Sequence, residues 1–210
     1  MEQLQDIRNS VISCERCKLA NTRRRAVPGE GIVSELMLVG EAPGSREDAL
    51  GRPFVGSAGK FLNQLLTKAG LSRESVYITN LVKCRPPNNR DPEKEEIDAC
   101  SPYLIAEINV IKPRIIVTLG SHSTAFFQKI AGLSQEPISR ARGKTFEIAF
   151  EHGKVIIFPS YHPAAALYNP NLSKVMEEDF IRLSQLVNRS SSKTITIESF
   201  LDQNGSGNKG

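Results

Sequence analysis

Four cysteines, Cys14, Cys17, Cys84 and Cys100, are all the cysteine in this 210-residue chain. Two stand as Cys14-Glu15-Arg16-Cys17 and the other two lie far downstream. Four thiolates with one C-x-x-C pair suit a metal site that takes Zn²⁺ or an iron–sulfur cluster. The opposing reading is two disulfides or four unrelated thiols, since the split spacing is not that of a compact zinc ribbon. The stretch Met1-Glu2-Gln3-Leu4-Gln5-Asp6 has neither a basic start nor an apolar run, and no apolar stretch approaches a membrane span. The expected setting is therefore cytoplasmic, where thiols stay reduced, which counts against disulfides.

The other residues with chemical potential stand in three unusual loops, Gly40–Gly44, Asn80–Arg90 and Ser160–Tyr168. They offer a carboxylate (Glu41), amides (Asn80, Asn89) and an imidazole (His162). Such groups can transfer protons, read polar edges and stabilise a developing anion.

The elements that must position these loops follow from apolar runs. Glu35–Val39, Val76–Thr79 and Arg114–Leu119 read as buried strands, and Lys144–Phe150 with Lys154–Pro159 as a hairpin around His152-Gly153. Helices are expected from an N-cap at Ser57 to Gly70, over Pro92–Ile111 with an acidic first turn, over Ser121–Ile130 and over Leu172–Val187. Alternating strands and helices predict an α/β three-layer sandwich, with a central parallel β-sheet flanked by helices. The three loops fall at carboxyl ends of strands, where function gathers in such sheets, so one composite site is expected. The domain is expected over residues 1–188, followed by a disordered Ser-, Asn- and Gly-rich tail over 189–210. The net charge of +4 is compatible with a polyanionic partner, as it is with many ordinary soluble proteins.

In order along the chain stand Gly40-Glu41-Ala42-Pro43-Gly44, Gly51-Arg52-Pro53-Phe54-Val55-Gly56, Thr79-Asn80-Leu81-Val82-Lys83-Cys84-Arg85-Pro86-Pro87, Asn89-Arg90 and Tyr161-His162-Pro163. Together with the four cysteines, this set resembles the family 4 uracil-DNA glycosylases, the thermostable iron–sulfur type, from about Cys14 to about Val187. The resemblance implies a [4Fe–4S] cluster on Cys14, Cys17, Cys84 and Cys100, structural because hydrolysis of an N-glycosidic bond needs no electrons; zinc is the alternative. It implies uracil-containing DNA as partner and extrusion of the base before cleavage.

Within that resemblance each residue has an expected role. Phe54 stacks on the base. Asn80 accepts from N3–H and donates to O4, which cytosine cannot match. His162 donates to O2 as charge develops on the departing uracil. Glu41 or Asn89 orients the water, Glu41 also stabilising the cationic sugar or crowding C5, and backbone amides of Gly40 to Gly44 bind the base or a phosphate. Leu167 is the expected wedge in the space left by the flipped base. Arg85, Arg90 and Arg142, with Arg140 and Lys144, are expected at phosphates. Arg23-Arg24-Arg25 reads equally as a further phosphate patch or a solvated turn.

No lysine in the motif loops stands out as a Schiff-base nucleophile, so a monofunctional glycosylase is expected, as a monomer. A DNA-damage binding module without turnover is the alternative, but it would lack Asn80, Glu41 or His162. A relative that traps the abasic sugar covalently carries a loop histidine absent from Ser139-Arg140-Ala141-Arg142-Gly143, and Glu41 departs from the apolar residue of the family 5 branch. In the tail, Ile197, Phe200 and Leu201 resemble the anchors of a sliding-clamp binding motif, with Thr194 in place of the usual glutamine.

Overall fold

The computed structural model describes residues 2–191. The clamp-motif residues Ile197, Phe200 and Leu201 lie outside the described residues. The chain contains α1 (Glu2–Ile12), β1 (Glu30–Gly31), β2 (Leu36–Gly40), α2 (Ser45–Leu50), α3 (Ser57–Lys68), β3 (Tyr77–Asn80), α4 (Lys94–Ile111), β4 (Ile115–Leu119), α5 (Ser121–Ile130), α6 (Ile138–Ala141), β5 (Phe146–Phe150), β6 (Gly153–Ser160), α7 (Pro163–Tyr168) and α8 (Asn171–Ser191). Helix α8 therefore continues past the domain boundary expected at residue 188.

The six strands form one sheet in the order β1-β3-β2-β4-β6-β5. Its inner four run parallel, as expected. Both edges are antiparallel, so the sheet is mixed. The β5–β6 edge is the expected hairpin; β1 is only two residues long, too short for any hydrophobic period to announce.

Strands β2, β3 and β4 are buried along their whole length, so both sheet faces must be covered. Met37, Val39 and Ile116 pack into a cluster with Val11 of α1, Leu104 and Ile108 of α4 and Phe127 of α5. Leu36, Leu38, Ile115 and Val117 point the other way, against Leu62, Leu65 and Leu66 of α3 and Met176, Phe180 and Leu183 of α8. The alternation along one strand thus feeds two cores, which gives the three layers.

Three helix starts differ from expectation, that of α8 by one residue, at Asn171. Gly56, not Ser57, is the N-cap of α3, and no side chain caps it. Helix α4 begins at Lys94 because Glu93 and Glu96 close a reciprocal capping box, with the Glu93 amide donating to Glu96 Oε2 at 2.8 Å.

Candidate active site and cysteine pocket

The parallel register places the ends of β2 and β3 side by side, with Gly40 opposite Asn80. Beyond the strands, Leu81 N donates to Gly40 O and Val82 N to Glu41 O, which stitches the two loops together. Strand β6, two places further along the sheet, delivers His162 from the same end. A cavity of about 310 Å³ opens there, with Glu41, Glu47, Phe54, Asn80, Asn89 and His162 in its wall. Gly40 lies just beneath: a Cβ on it would stand 2.4 Å from Asn80 Oδ1 and 2.6 Å from the Phe54 ring. Only glycine lets both side chains close over this strand end.

Asn80 is buried, and its Oδ1 has no hydrogen-bond partner. A buried acceptor left unpaired costs roughly 1–3 kcal/mol, a cost that a ligand or water supplying the donor would remove.

Phe54 adopts a left-handed backbone conformation, φ 50°, which is uncommon for an aromatic residue. Its surroundings hold it there. Glu47 Oε1 accepts from Val55 N at 2.9 Å and Gly56 N at 2.8 Å. Arg73 donates to Pro53 O at 2.7 Å and Phe54 O at 3.1 Å. Gly59 makes room below, since a Cβ there would fall 1.9 Å from the Phe54 carbonyl oxygen. The strain is thus fixed by three separate contacts, as in other preorganised sites.

His162 caps the short helix α7: its Nδ1 accepts from Ala164 N at 3.2 Å. That bond requires an unprotonated Nδ1, so the proton of the neutral ring sits on Nε2. Burial pushes the imidazole below the usual histidine value, against the pull of Glu41 and Glu47. The ring lies 5.7 Å from that of Phe54, tilted by 33°. Phe54 and His162 thereby form adjoining walls of one cavity.

Asn88 and Asn89 both have positive φ, a conformation asparagine tolerates. Arg85 Nε donates to Asn89 Oδ1 at 2.8 Å. Arg90 forks onto Glu96, with contacts of 2.9 and 2.6 Å. Arg142 donates to Asp179 at 2.8 Å. Both guanidinium groups therefore already hold buried carboxylates, which composition and spacing did not reveal. Leu167 and Tyr168 at the end of α7 are exposed, Tyr168 by 89%.

Four functional neighbours escaped the reading of the sequence. Glu47 and Arg73 act through the backbone around Phe54. His122, at the start of α5, bonds Glu41 Oε2 through Nδ1 at 2.7 Å. Lys83 is fully buried with Glu107: its Nζ donates to Glu107 Oε2 at 2.7 Å, Thr79 Oγ1 at 2.5 Å and the Asn80 carbonyl at 2.9 Å. Glu107 also accepts from Tyr77 and Gly29, so the buried charge is compensated from several sides.

The four cysteines are free and line one pocket with Arg16, Arg23, Lys83 and Tyr103. Arg23 Nη1 donates to Cys84 Sγ at 3.1 Å and Lys83 N to Cys100 Sγ at 3.1 Å. Donors aimed at sulfur suit thiolates bound to a metal centre. Burial pushes the Cys100 thiol up to about 12 and raises that of Cys84, so a bound cation would be what keeps both deprotonated. The donor set fits a thiolate-bound metal centre.

A family model described as "Uracil DNA glycosylase superfamily" matches residues 29–183. Type-4 uracil-DNA glycosylase of Sulfurisphaera tokodaii is 53% identical, over 96% of this chain and 91% of that protein. Its counterpart in Saccharolobus solfataricus is 53% identical over 100% and 96%, and that of Thermotoga maritima 39% identical over 90% and 96%. The cavity at the strand ends thus lies in a protein matched nearly end to end by these relatives, and the chain belongs to the type-4 branch of the uracil DNA glycosylase superfamily.

Proposed function

We propose that this protein removes uracil from DNA, hydrolysing the N-glycosidic bond of an extruded nucleotide to leave an abasic site and so initiate base excision repair. The observation that carries the assignment of roles is the unpaired Asn80 Oδ1 in the cavity wall. Uracil N3–H is the donor that it lacks; cytosine presents an unprotonated N3 there and is refused. Phe54, preset by Glu47 and Arg73, is the stacking surface. The Nε2–H of neutral His162 donates to uracil O2 and stabilises the charge that builds as the bond breaks. Glu41 and Asn89 orient the attacking water, and Glu41 faces the cationic sugar. Gly40 permits the close approach beneath the base.

Cys14, Cys17, Cys84 and Cys100 would hold a [4Fe–4S] cluster. When bound, it would supply a structural cross-link rather than electrons, joining the N-terminal segment to the Asn80 loop and α4. Exposed Leu167 is the side chain to fill the vacated stack, and Arg90 is the guanidinium in the cavity wall; Arg85 is assigned to phosphate, and Arg90 and Arg142 reach phosphates only with the N–H groups that their carboxylates leave over. We further assign the segment beyond α8 to clamp binding through Ile197, Phe200 and Leu201, and the protein to the monomeric, intracellular state. No helix among the described residues is long and apolar enough to cross a membrane.

The test is cleavage of a labelled oligonucleotide with one U·G pair, followed by alkali, beside T·G and C·G controls. Strand breaks appear at uracil alone, and Asn80→Asp loses them while retaining the fold. Tight binding of the uracil site without breaks would favour the binding-module reading; neither binding nor breaks would refute both.

A further inference from the structure

Strand β4 lies next to β2 in the sheet, so the first turn of α5, which follows β4, stands beside the loop that follows β2. This brings together residues 81 positions apart: His122 Nδ1 and Glu41 Oε2, at 2.7 Å. On the other side of the ring, His122 Nε2 lies 3.7 Å from Asp91 Oδ2. The three ligand atoms fall within 4.8 Å of one another, which the contact between His122 and Glu41 accounts for without an ion. His122 and Glu41 are each about 30% exposed, so the pair borders solvent on one side and the cavity on the other.

Building on the glycosylase reading, we propose that His122 is a positioning residue for Glu41: its Nδ1–H anchors Oε2, leaving Oε1 to face the cavity and the attacking water. A free glutamate at a strand end has several rotamers, and one fixed oxygen removes most of them. The pair also sets the local charge. With His122 protonated, the pair is neutral overall; deprotonation leaves a net negative charge beside the departing uracil anion, which opposes departure. The Glu41 hydrogen bond raises the His122 imidazole above its usual value, with a smaller contribution from Asp91. Lys94 and Asp98 of α4 and Lys129 of α5 line the adjoining surface, where Lys94 pairs with Asp98. None of these touches the imidazole, so the Glu41 contact governs its titration.

The test compares wild type, His122→Ala and His122→Asn on a single-uracil oligonucleotide, in the loaded protein. We expect His122→Ala to lower kcat about 10-fold with KM changed less than about 2-fold. The amide introduced by His122→Asn can still donate to Glu41 but leaves its charge uncompensated, so that variant regains part of the rate, up to the level wild type keeps once His122 is deprotonated. Wild-type activity falls as pH rises through the raised histidine value, and His122→Asn lacks that fall. Imidazole NMR gives a readout independent of turnover: the His122 titration moves down in Glu41→Gln. An active wild type with kcat and pH profile unchanged in His122→Ala overturns the positioning role alone. So does a His122 titration indifferent to Glu41→Gln. An inactive wild type sinks the glycosylase reading, and the positioning role with it.

Discussion

The cysteine pocket and the base cavity treat polar atoms in opposite ways. In the cysteine pocket, donors are already aimed at sulfur: Arg23 at Cys84 and the Lys83 amide at Cys100. In the base cavity, a buried acceptor is left without a donor and two carboxylates, Glu41 and Glu47, stand in the wall. On the proposed reading, one region is finished for a permanent metal centre held by thiolates. The other is held ready for a transient occupant that brings its own N–H. Both are served by the stretch from Asn80 to Cys84, with Lys83 at its hinge: the ammonium holds the Asn80 carbonyl and the backbone amide holds Cys100. Permanent and transient sites therefore share a scaffold, and damage at the first should be felt at the second.

Breaking the finished region should have the largest effect. Cys84→Ala or Cys100→Ala is expected to lose the bound iron and on the order of 5 kcal/mol of stability, with uracil excision lost in proportion to the folded fraction. Iron analysis with thermal melts checks this; full iron content and an unchanged Tm would separate the two regions. Next comes the shared hinge. Lys83→Met leaves Glu107 buried without its cation and should cost about 3–5 kcal/mol, while adding Glu107→Gln should recover part of that. Denaturant titration of the single and double variants decides it.

Breaking the transient region alone should spare the fold. His162→Ala is expected to lower kcat by about 10²–10³, or about 2.7–4 kcal/mol, with iron content unchanged. The smallest effect is one of pH. Because the His162 pKa is lowered in the folded protein, the unfolded chain binds the proton first. The stabilising effect of a neutral His162 is therefore complete above about pH 6.5 and is lost as pH falls below it. The raised His122 works with the reverse sign: its contribution is complete below about 6.5 and is lost as pH rises through its own value. Melts of His162→Ala against wild type below about pH 6.5 should show a shallower acid slope in the variant.

The inner strands, helices α3, α4, α5 and α8 and the four cysteines were legible because each leaves a local mark, such as an apolar run, an acidic first turn or a rare residue type, whereas α1 was not expected. Asn80 and His162 were legible through the motifs at the strand ends. The edge strand β1 was not, at two residues, nor was α2, whose six residues carry no full apolar period. The N-cap at Gly56 was misplaced to Ser57 because the donors there are met by Glu47 from another helix. Lys83–Glu107, Arg73 with Phe54, and Glu41–His122 depend on strand order and register, which bring distant residues together. A single sequence read locally has no access to such pairs.

The left-handed turn at Phe54 has a consequence for the nucleic acid. If Phe54 stacks on the base as proposed, its backbone, already locked by Glu47, Arg73 and the space over Gly59, has little left to order when a base arrives. The work of extrusion then falls on the DNA, and the differences between substrates become differences in how firmly uracil is held by its own helix. Excision rates should therefore follow pairing strength, with unpaired uracil first, a U·G wobble next and a U·A pair last, making the enzyme a reader of local duplex instability as well as of the base.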